Sequence, residues 1–341
     1  VTQADTAVHD AAEFMDRSGP AAKIQATLHR YPWISPALVL VLAIVALSFF
    51  NQYFATPNNL SLIAQQVAVV GSIAIGQTLI ILTAGIDLSC GAIAVFASMV
   101  MAKTAFENHV PGWLAFILGL IAGTAAGALN GYLVTRVKLP PFIVTLGTFN
   151  IFTALTLLYA TGRTVRDTEV DPFLLKLGAV FSIGTFHITT GVIAMLLMYA
   201  AVAFALRYTA WGRHVYATGG DIEAARLAGI EVNRVLMSVY MSAGFIFAMT
   251  AWVLIGRVNA ASPNSGIDLN LDSITAVVIG GTSLFGGRGT ILGSLLGALI
   301  VGVFRNGLTL AGLDVYYQTL AVGLLIIFAV TIDQWIRRSR S

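Results

Sequence analysis

Charge is scarce in this sequence. Only 10% of its 341 residues are charged, whereas 57% are hydrophobic and the mean hydropathy is +0.84. A water-soluble domain carries about a quarter charged residues, so these charges are too few to cover a soluble globule of this length, and the chain belongs in a bilayer. The charges fall mainly between apolar stretches, which is the pattern of a polytopic helical protein.

Cysteine is almost absent. A single one, Cys90, stands in an apolar run, which excludes an intrachain disulfide and a cysteine metal cluster. The five histidines, His9, His29, His109, His187 and His214, are scattered singly without the i, i+4 spacing of a helical metal pair. No metal or cofactor site is expected in this chain. There is no Gly-Lys dipeptide, hence no phosphate-binding loop of the Gly-x-x-x-x-Gly-Lys type. His-Glu-x-x-His, Gly-x-Ser-x-Gly and paired catalytic carboxylates are also missing, which argues against an enzyme. The pI near 9.1 has no basic run interleaved with aromatics behind it, apart from the short tail "IRRSRS", so nucleic acid is not an expected partner.

What the sequence has in abundance is long apolar runs. With about 20 apolar residues needed per spanning helix, ten candidate spans are predicted: 33–50, 60–84, 88–102, 112–135, 139–160, 188–206, 235–257, 273–285, 289–305 and 316–332. Those at 88–102 and 273–285 are short, and are expected to be broken or re-entrant helices facing protein or a cavity. An even number of spans with the N-terminus inside leaves 13 of the 19 Lys and Arg residues cytoplasmic, with Lys103, Arg163, Arg166, Lys176, Arg257 and Arg305 outside. The positive-inside rule therefore favours both termini in the cytoplasm. The division is a polar N-terminal tail over 1–32, a single membrane domain over 33–336 with a long inner loop at 207–234, and a basic tail over 337–341. A second long loop, 161–187, is expected outside, solvated and free to dock a partner.

Two internal echoes stand out. "GIDLS" at 85–89 is followed by "GIDLN" at 266–270, and "GTAAGAL" at 123–129 by "GSLLGAL" at 293–299. The spans so matched lie five apart, which would give two five-helix repeats of opposite topology, as in transporters whose site lies between inverted repeats. Recurrence of Gly, Ala and Leu in apolar helices is the competing explanation. Glycines at four-residue spacing, Gly119, Gly123, Gly127 and Gly131, then Gly289, Gly293 and Gly297, are expected to let helix backbones approach.

In the inner loop, "GGDIEAARLAGIEVNR" places Asp221 as the N-cap of a short helix carrying Glu223, Ala224, Ala225 and Arg226, stopped by Gly229. An exposed helix this short needs a partner to hold it. Glu-Ala-Ala followed after three residues by Gly matches the loop that permeases of ATP-binding-cassette importers seat in a groove of their ATPase. The run "GGTSLFGGRG" at 280–289 has no lysine and no preceding soluble strand. Its glycines Gly280, Gly281, Gly286, Gly287 and Gly289 are predicted to break a helix and turn the chain at Arg288, not to cradle phosphate.

Taken together, "TLIILTAGIDLSCG" (78–91), "LPPFIVTLGT" (139–148), "TAWGRHVYATGG" (209–220), "EAARLAGI" (223–230), "ITAVVIGGTSLFGGRGTILG" (274–293) and "TIDQWIRR" (331–338) resemble the monosaccharide permeases of bacterial ribose- and fructose-type ATP-binding-cassette importers, nearest to the fructose type. The likeness covers nearly all of the chain after residue 40. Cys90 departs from it, since valine is usual there. The resemblance implies a homodimer of permeases in the bacterial inner membrane, a cytoplasmic ATPase that holds ATP and Mg, and an extracytoplasmic sugar-binding protein. It also implies alternating access driven by ATP closure.

A sugar crossing the bilayer needs hydrogen-bond partners on the spans. Neutral candidates are Gln65, Gln66, Gln77, Thr83, Asn130, Thr145, Thr148, Asn150 and Asn259, each of which could equally bond a neighbouring helix. Asp87 is ionisable at the head of a short apolar segment, where it caps the helix over 88–102 or serves gating and sugar contact. The alternative class is an ion-gradient-driven secondary sugar transporter, for which only Asp87, Asp268 and Asp272 offer membrane-embedded carboxylates.

Overall fold

The computed structural model describes residues 33–321 except Ile267, together with 323, 324 and 327, and for Asp167 and Ile183 the backbone alone. The expected N-terminal tail, the C-terminal tail, the "TIDQWIRR" match and part of the predicted span 316–332 lie outside the described residues.

The chain runs through α1 (Ile34–Phe50), α2 (Pro57–Leu82), α3 (Cys90–Glu107), α4 (Gly112–Thr135) and α5 (Pro141–Ala160). A connecting region follows, with β1 (Val165–Arg166), two 3-10 turns and the hairpin β2 (Val180–Ile183) and β3 (Phe186–Thr189). Next come α6 (Thr190–Tyr208), α7 (Ala210–Gly220), α8 (Ile222–Leu227), α9 (Val232–Val258), β4 (Ala260–Ala261), α10 (Leu269–Ile279) and α11 (Ile291–Leu310). Seven of these, α2 to α6, α9 and α11, are long and apolar enough to cross a membrane, and α1 and α10 are shorter apolar helices.

Start and stop signals are local. Thr56 accepts a hydrogen bond from Asn59 N at 3.4 Å ahead of Pro57, and Thr290 accepts from Gly293 N at 3.0 Å at the head of α11. Two prolines, Pro140 and Pro141, open α5. α10 ends in a Schellman turn: Gly281 is left-handed (φ 85°), its N–H donates to Val278 O, and Thr282 N donates to Val277 O.

Burial sorts the helices into a centre and a rim. The apolar windows of α2, α3 and α9 are 72–83% buried, whereas those of α4, α5 and α6 are 28–33% buried. The rim helices turn Ile121, Leu158 and Leu197 outward, as side chains facing lipid do. α4 lies along α9, α10 along α11, and α2 touches α6, α9, α10 and α11. Glycines let two of these pairs approach closely. A side chain at Gly127 would collide with Tyr240 O and come within 2.9 Å of Gly244 Cα, and one at Gly297 would collide with Ala276 O. The four-residue glycine spacing is thus used for helix packing, except that Gly289, expected on the face of α11, precedes that helix in the turn before it with φ 147°.

Three expectations need correction. The segment predicted as short at 88–102 is an unbroken 18-residue helix, Cys90–Glu107, because Lys103 continues it by bonding Tyr159 O and pairing with Glu107 at 3.3 Å. The predicted span 289–305 runs on to Leu310, so Arg305 lies within α11 rather than in an outer loop, its charge met by Asp272. The loop 161–187 is not simply solvated: β1 pairs antiparallel with β4 (Val165↔Ala261), β2 pairs with β3, and Arg163 pairs with Glu169.

Candidate functional site

The short helix expected within the loop 207–234 folds as its sequence predicts. Asp221 Oδ1 accepts from Glu223 N at 2.9 Å and from Ala224 N at 3.0 Å, Arg226 bonds Glu223 at 2.6 Å, and the helix is only six residues long. Gly229 leaves it with φ 81°. Ala225 is buried against the body of the protein, while Ala224 is exposed and Leu227 is 90% exposed. A short helix thus projects a small, partly apolar face bounded by Glu223 and Arg226.

This helix is connected to the membrane core through α7. Tyr216 OH donates to Gly289 O at 3.0 Å. Gly287 N donates to Leu82 O at 2.9 Å. A side chain at Gly219 would collide with Leu82 O and lie 2.8 Å from Gly287 N, and one at Gly286 would lie 2.6 Å from Gly219 O and 2.7 Å from Ala84 N. The glycine-rich run over 280–289 therefore seats between α7 and the end of α2. Gly286, Gly287 and Gly289 all have positive φ, conformations open to glycine at little cost. Gly280 lies flush against Gly293 of α11. The run interrupts the apolar segment and turns the chain, with Arg288 O accepting from Ser283 N at 2.9 Å.

Beside that seat, the break between α2 and α3 gathers a buried polar cluster. Asp87 is 1% exposed, and its Oδ1 accepts from Ser89 N and Ser89 Oγ, both at 2.6 Å. Asn130 Nδ2 donates to Ser89 Oγ at 2.8 Å, and Thr145 Oγ1 donates to Ile86 O at 3.0 Å. Asp87 is not itself the N-cap: that position is Ser89, whose side chain makes no cap bond. The carboxylate instead holds the N-cap residue's N–H, one step outside the helix. Asn130 Oδ1, the hydroxyl of Tyr240 and both polar atoms of Gln77 are buried without a hydrogen-bond partner.

The other candidates scatter. Thr83 bonds Ile80 O and Thr148 bonds Thr145 O, each within its own helix. Gln65 donates to His187 O of the hairpin at 3.4 Å, Asn150 is exposed and bonds Leu146 O, and Asn259 is the exposed, left-handed C-cap of α9. Gln66 does line a cavity, with Asp268, Asp272 and Arg305. Arg305 was the member of that set that sequence reasoning missed. The available signal was a lone arginine inside an apolar run, 33 positions after Asp272.

Such a bundle, with a half-length helix, glycine-tight helix pairs and a projecting capped helix, defines a multi-pass membrane protein of the transport class. Residues 59–330 match the family described as branched-chain amino acid transport system / permease component, and the chain belongs to that family. It is 49% identical to the fructose import permease protein FrcC of Rhizobium meliloti, over 93% of this chain and 89% of that protein. It is 40% identical to the ribose import permease protein RbsC of Bacillus subtilis, over 88% of this chain and 92% of that one. The D-allose transport system permease protein AlsC of Escherichia coli K12 is 35% identical, over 90% of this chain and 93% of that protein. No solved structure gives a significant match.

Proposed function

We propose that this chain is the membrane-spanning permease subunit of an ATP-driven importer that carries a monosaccharide, fructose, ribose or a similar sugar or polyol, into the cell. The family's description speaks of branched-chain amino acids, but the relatives that align over most of this chain are named for fructose, ribose and allose. The projecting helix over Ile222–Leu227 carries the reading. It is too short to stand alone and turns Leu227 away from the protein body, and it follows directly on α7, whose Gly219 packs against the glycine-rich run and the end of α2.

In this reading a cytoplasmic ATPase, holding ATP and Mg, receives that helix, two copies of the permease face one another, and an extracytoplasmic binding protein delivers the sugar. The protein sits in the bacterial inner membrane with ten spans and both termini inside. ATP closure draws the projecting helix, and alternating access follows through α7 and the glycine-rich run to α10 and α2. Hydrolysis belongs to the partner, and this chain performs no covalent chemistry.

Uptake of labelled fructose and ribose in a strain lacking the gene, complemented with wild type or Gly229→Asp, tests this reading. Uptake that returns only with wild type and follows ATP supports the importer. Uptake that survives ATP depletion and follows the ion gradient replaces it with the secondary carrier.

A further inference from the structure

The stretch between β4 and α10 reaches into the bundle. A side chain at Gly266 would lie 3.3 Å from Val95 Cγ2 of α3, and α10 begins beside the first turn of α3, where Cys90 Sγ and Ser273 Oγ are 3.6 Å apart. From there α10 reaches the end of the bundle that holds α7 in only eleven residues. Residues 262–266 and Asp268 are therefore irregular backbone among membrane-crossing helices. Hydrocarbon does not tolerate such backbone unless it is buried in protein or lines a polar cavity. A cavity of about 340 Å3 lies there, and Gly266 and Asp268 form part of its wall.

The rest of the wall is mixed, with apolar Val67, Val70 and Val301 beside polar side chains from four helices. Gln66 comes from α2, Arg257 from the last turn of α9, Asp272 from the first turn of α10, and Arg305 and Thr309 from α11. Asp272 is 2% exposed, and its Oδ1 accepts from Arg305 Nη2 at 2.7 Å. Asp268 Oδ2 is 3.9 Å from the same nitrogen. Arg305 Nε, however, is enclosed and has no partner. Ionised groups inside a membrane bundle mark a binding position or a pathway, and this pair stands in the wall of the cavity.

Two carboxylates and two guanidiniums balance in charge, which favours a ligand of no net charge. Sugar hydroxyls both donate and accept, so they can give to Asp268 and Asp272 while accepting from the Arg305 and Arg257 guanidiniums and the Gln66 amide. The volume is at the small end of the roughly 300–1,000 Å3 range of small-molecule sites, which suits one monosaccharide. We propose that this cavity is a station where a single monosaccharide is held during its passage. The inference rests on the import reading above and adds the place on this chain where the sugar binds.

Cysteine replacement in the complete importer in proteoliposomes tests it, with Cys90→Ser leaving only the introduced thiol. Val70→Cys and Thr309→Cys place a thiol in the wall. Millimolar fructose or ribose is expected to slow labelling by a charged methanethiosulfonate reagent about fivefold or more, as occupancy of the site requires. Adding Arg305→Lys, which keeps the charge and removes the planar guanidinium, is expected to abolish that protection. Labelling rates indifferent to both sugars in variants that still transport them overturn the station, and protection by leucine alone overturns its sugar chemistry. Unsubstituted importer is assayed in the same vesicles, so a failure of the import reading itself shows separately, as a wild type that carries neither sugar.

Discussion

The backbone N–H of Gly287 donates to the carbonyl oxygen of Leu82 at 2.9 Å, which fastens the glycine-rich turn between α10 and α11 to the last turn of α2. Gly219 of α7 closes over the same bond. Three chain segments more than 60 residues apart thus meet with backbone against backbone, and a displacement of α7 has no soft side chain in which to dissipate.

Gly219→Ala puts a methyl group onto Leu82 O and Gly287 N. Overpacking of a tight contact costs about 1–3 kcal/mol. The variant is expected to lose sugar uptake at least about tenfold, the equivalent of about 1.4 kcal/mol, with its melting temperature lowered; thermal unfolding and uptake assays in parallel check it. Normal uptake with normal stability would show that α7 and α2 are not mechanically joined there.

The projecting helix should fail in two separable ways. Asp221→Ala removes the acceptor of two N-terminal N–H groups, at about 1 kcal/mol, and weakens the helix itself. Leu227→Asp leaves the cap intact but places charge on a side chain that is 90% exposed. Leu227→Asp is therefore expected to leave the melting temperature of the isolated permease unchanged and to abolish co-purification of the ATPase subunit. Retention of the ATPase by Leu227→Asp would remove this face from the interface.

Arg305 and Asp272 should be coupled in stability. Removing one partner of a fully buried pair costs about 3–5 kcal/mol; because Arg305 keeps part of its surface exposed, each of Asp272→Leu and Arg305→Leu is expected to cost about 2–4 kcal/mol. The double variant should be more stable than the sum of the single changes predicts. Additive losses in a double-mutant thermal series would mean that the 2.7 Å contact contributes nothing.

Asp87 acts through an oxygen that accepts from Ser89 N and Oγ, and asparagine retains such an oxygen. Asp87→Asn is expected to stay within about 1 kcal/mol of wild type, while Asp87→Leu, which strands the Ser89 N–H in the core, is expected to cost about 1–3 kcal/mol. Chemical unfolding in detergent distinguishes the two. Should Asp87→Asn fold normally and yet lose uptake, the charge serves passage rather than the helix start.

Most of the span positions were legible because a bilayer imposes a length and a composition on any helix that crosses it. The window 112–135 coincides with α4, and the Asp221 cap and the Gly229 exit follow from residue chemistry within nine positions. The two ends of α3 and α11 were misjudged for one reason: Lys103 and Arg305 look like boundary charges until Glu107 and Asp272 are seen to neutralise them.

Local sequence by itself determined the apolar helices, the glycine faces and the projecting helix, since each depends on neighbours a few residues apart. Tertiary structure alone decided which polar residues share a site. Asp87, Asn130 and Thr145 converge from three segments, and Gln66 joins Asp272 and Arg305, whereas Gln65, one position along α2, turns to the hairpin instead. A single step along a helix rotates a side chain by about 100°, so membership of a site depends on the packing of helices far apart in the chain.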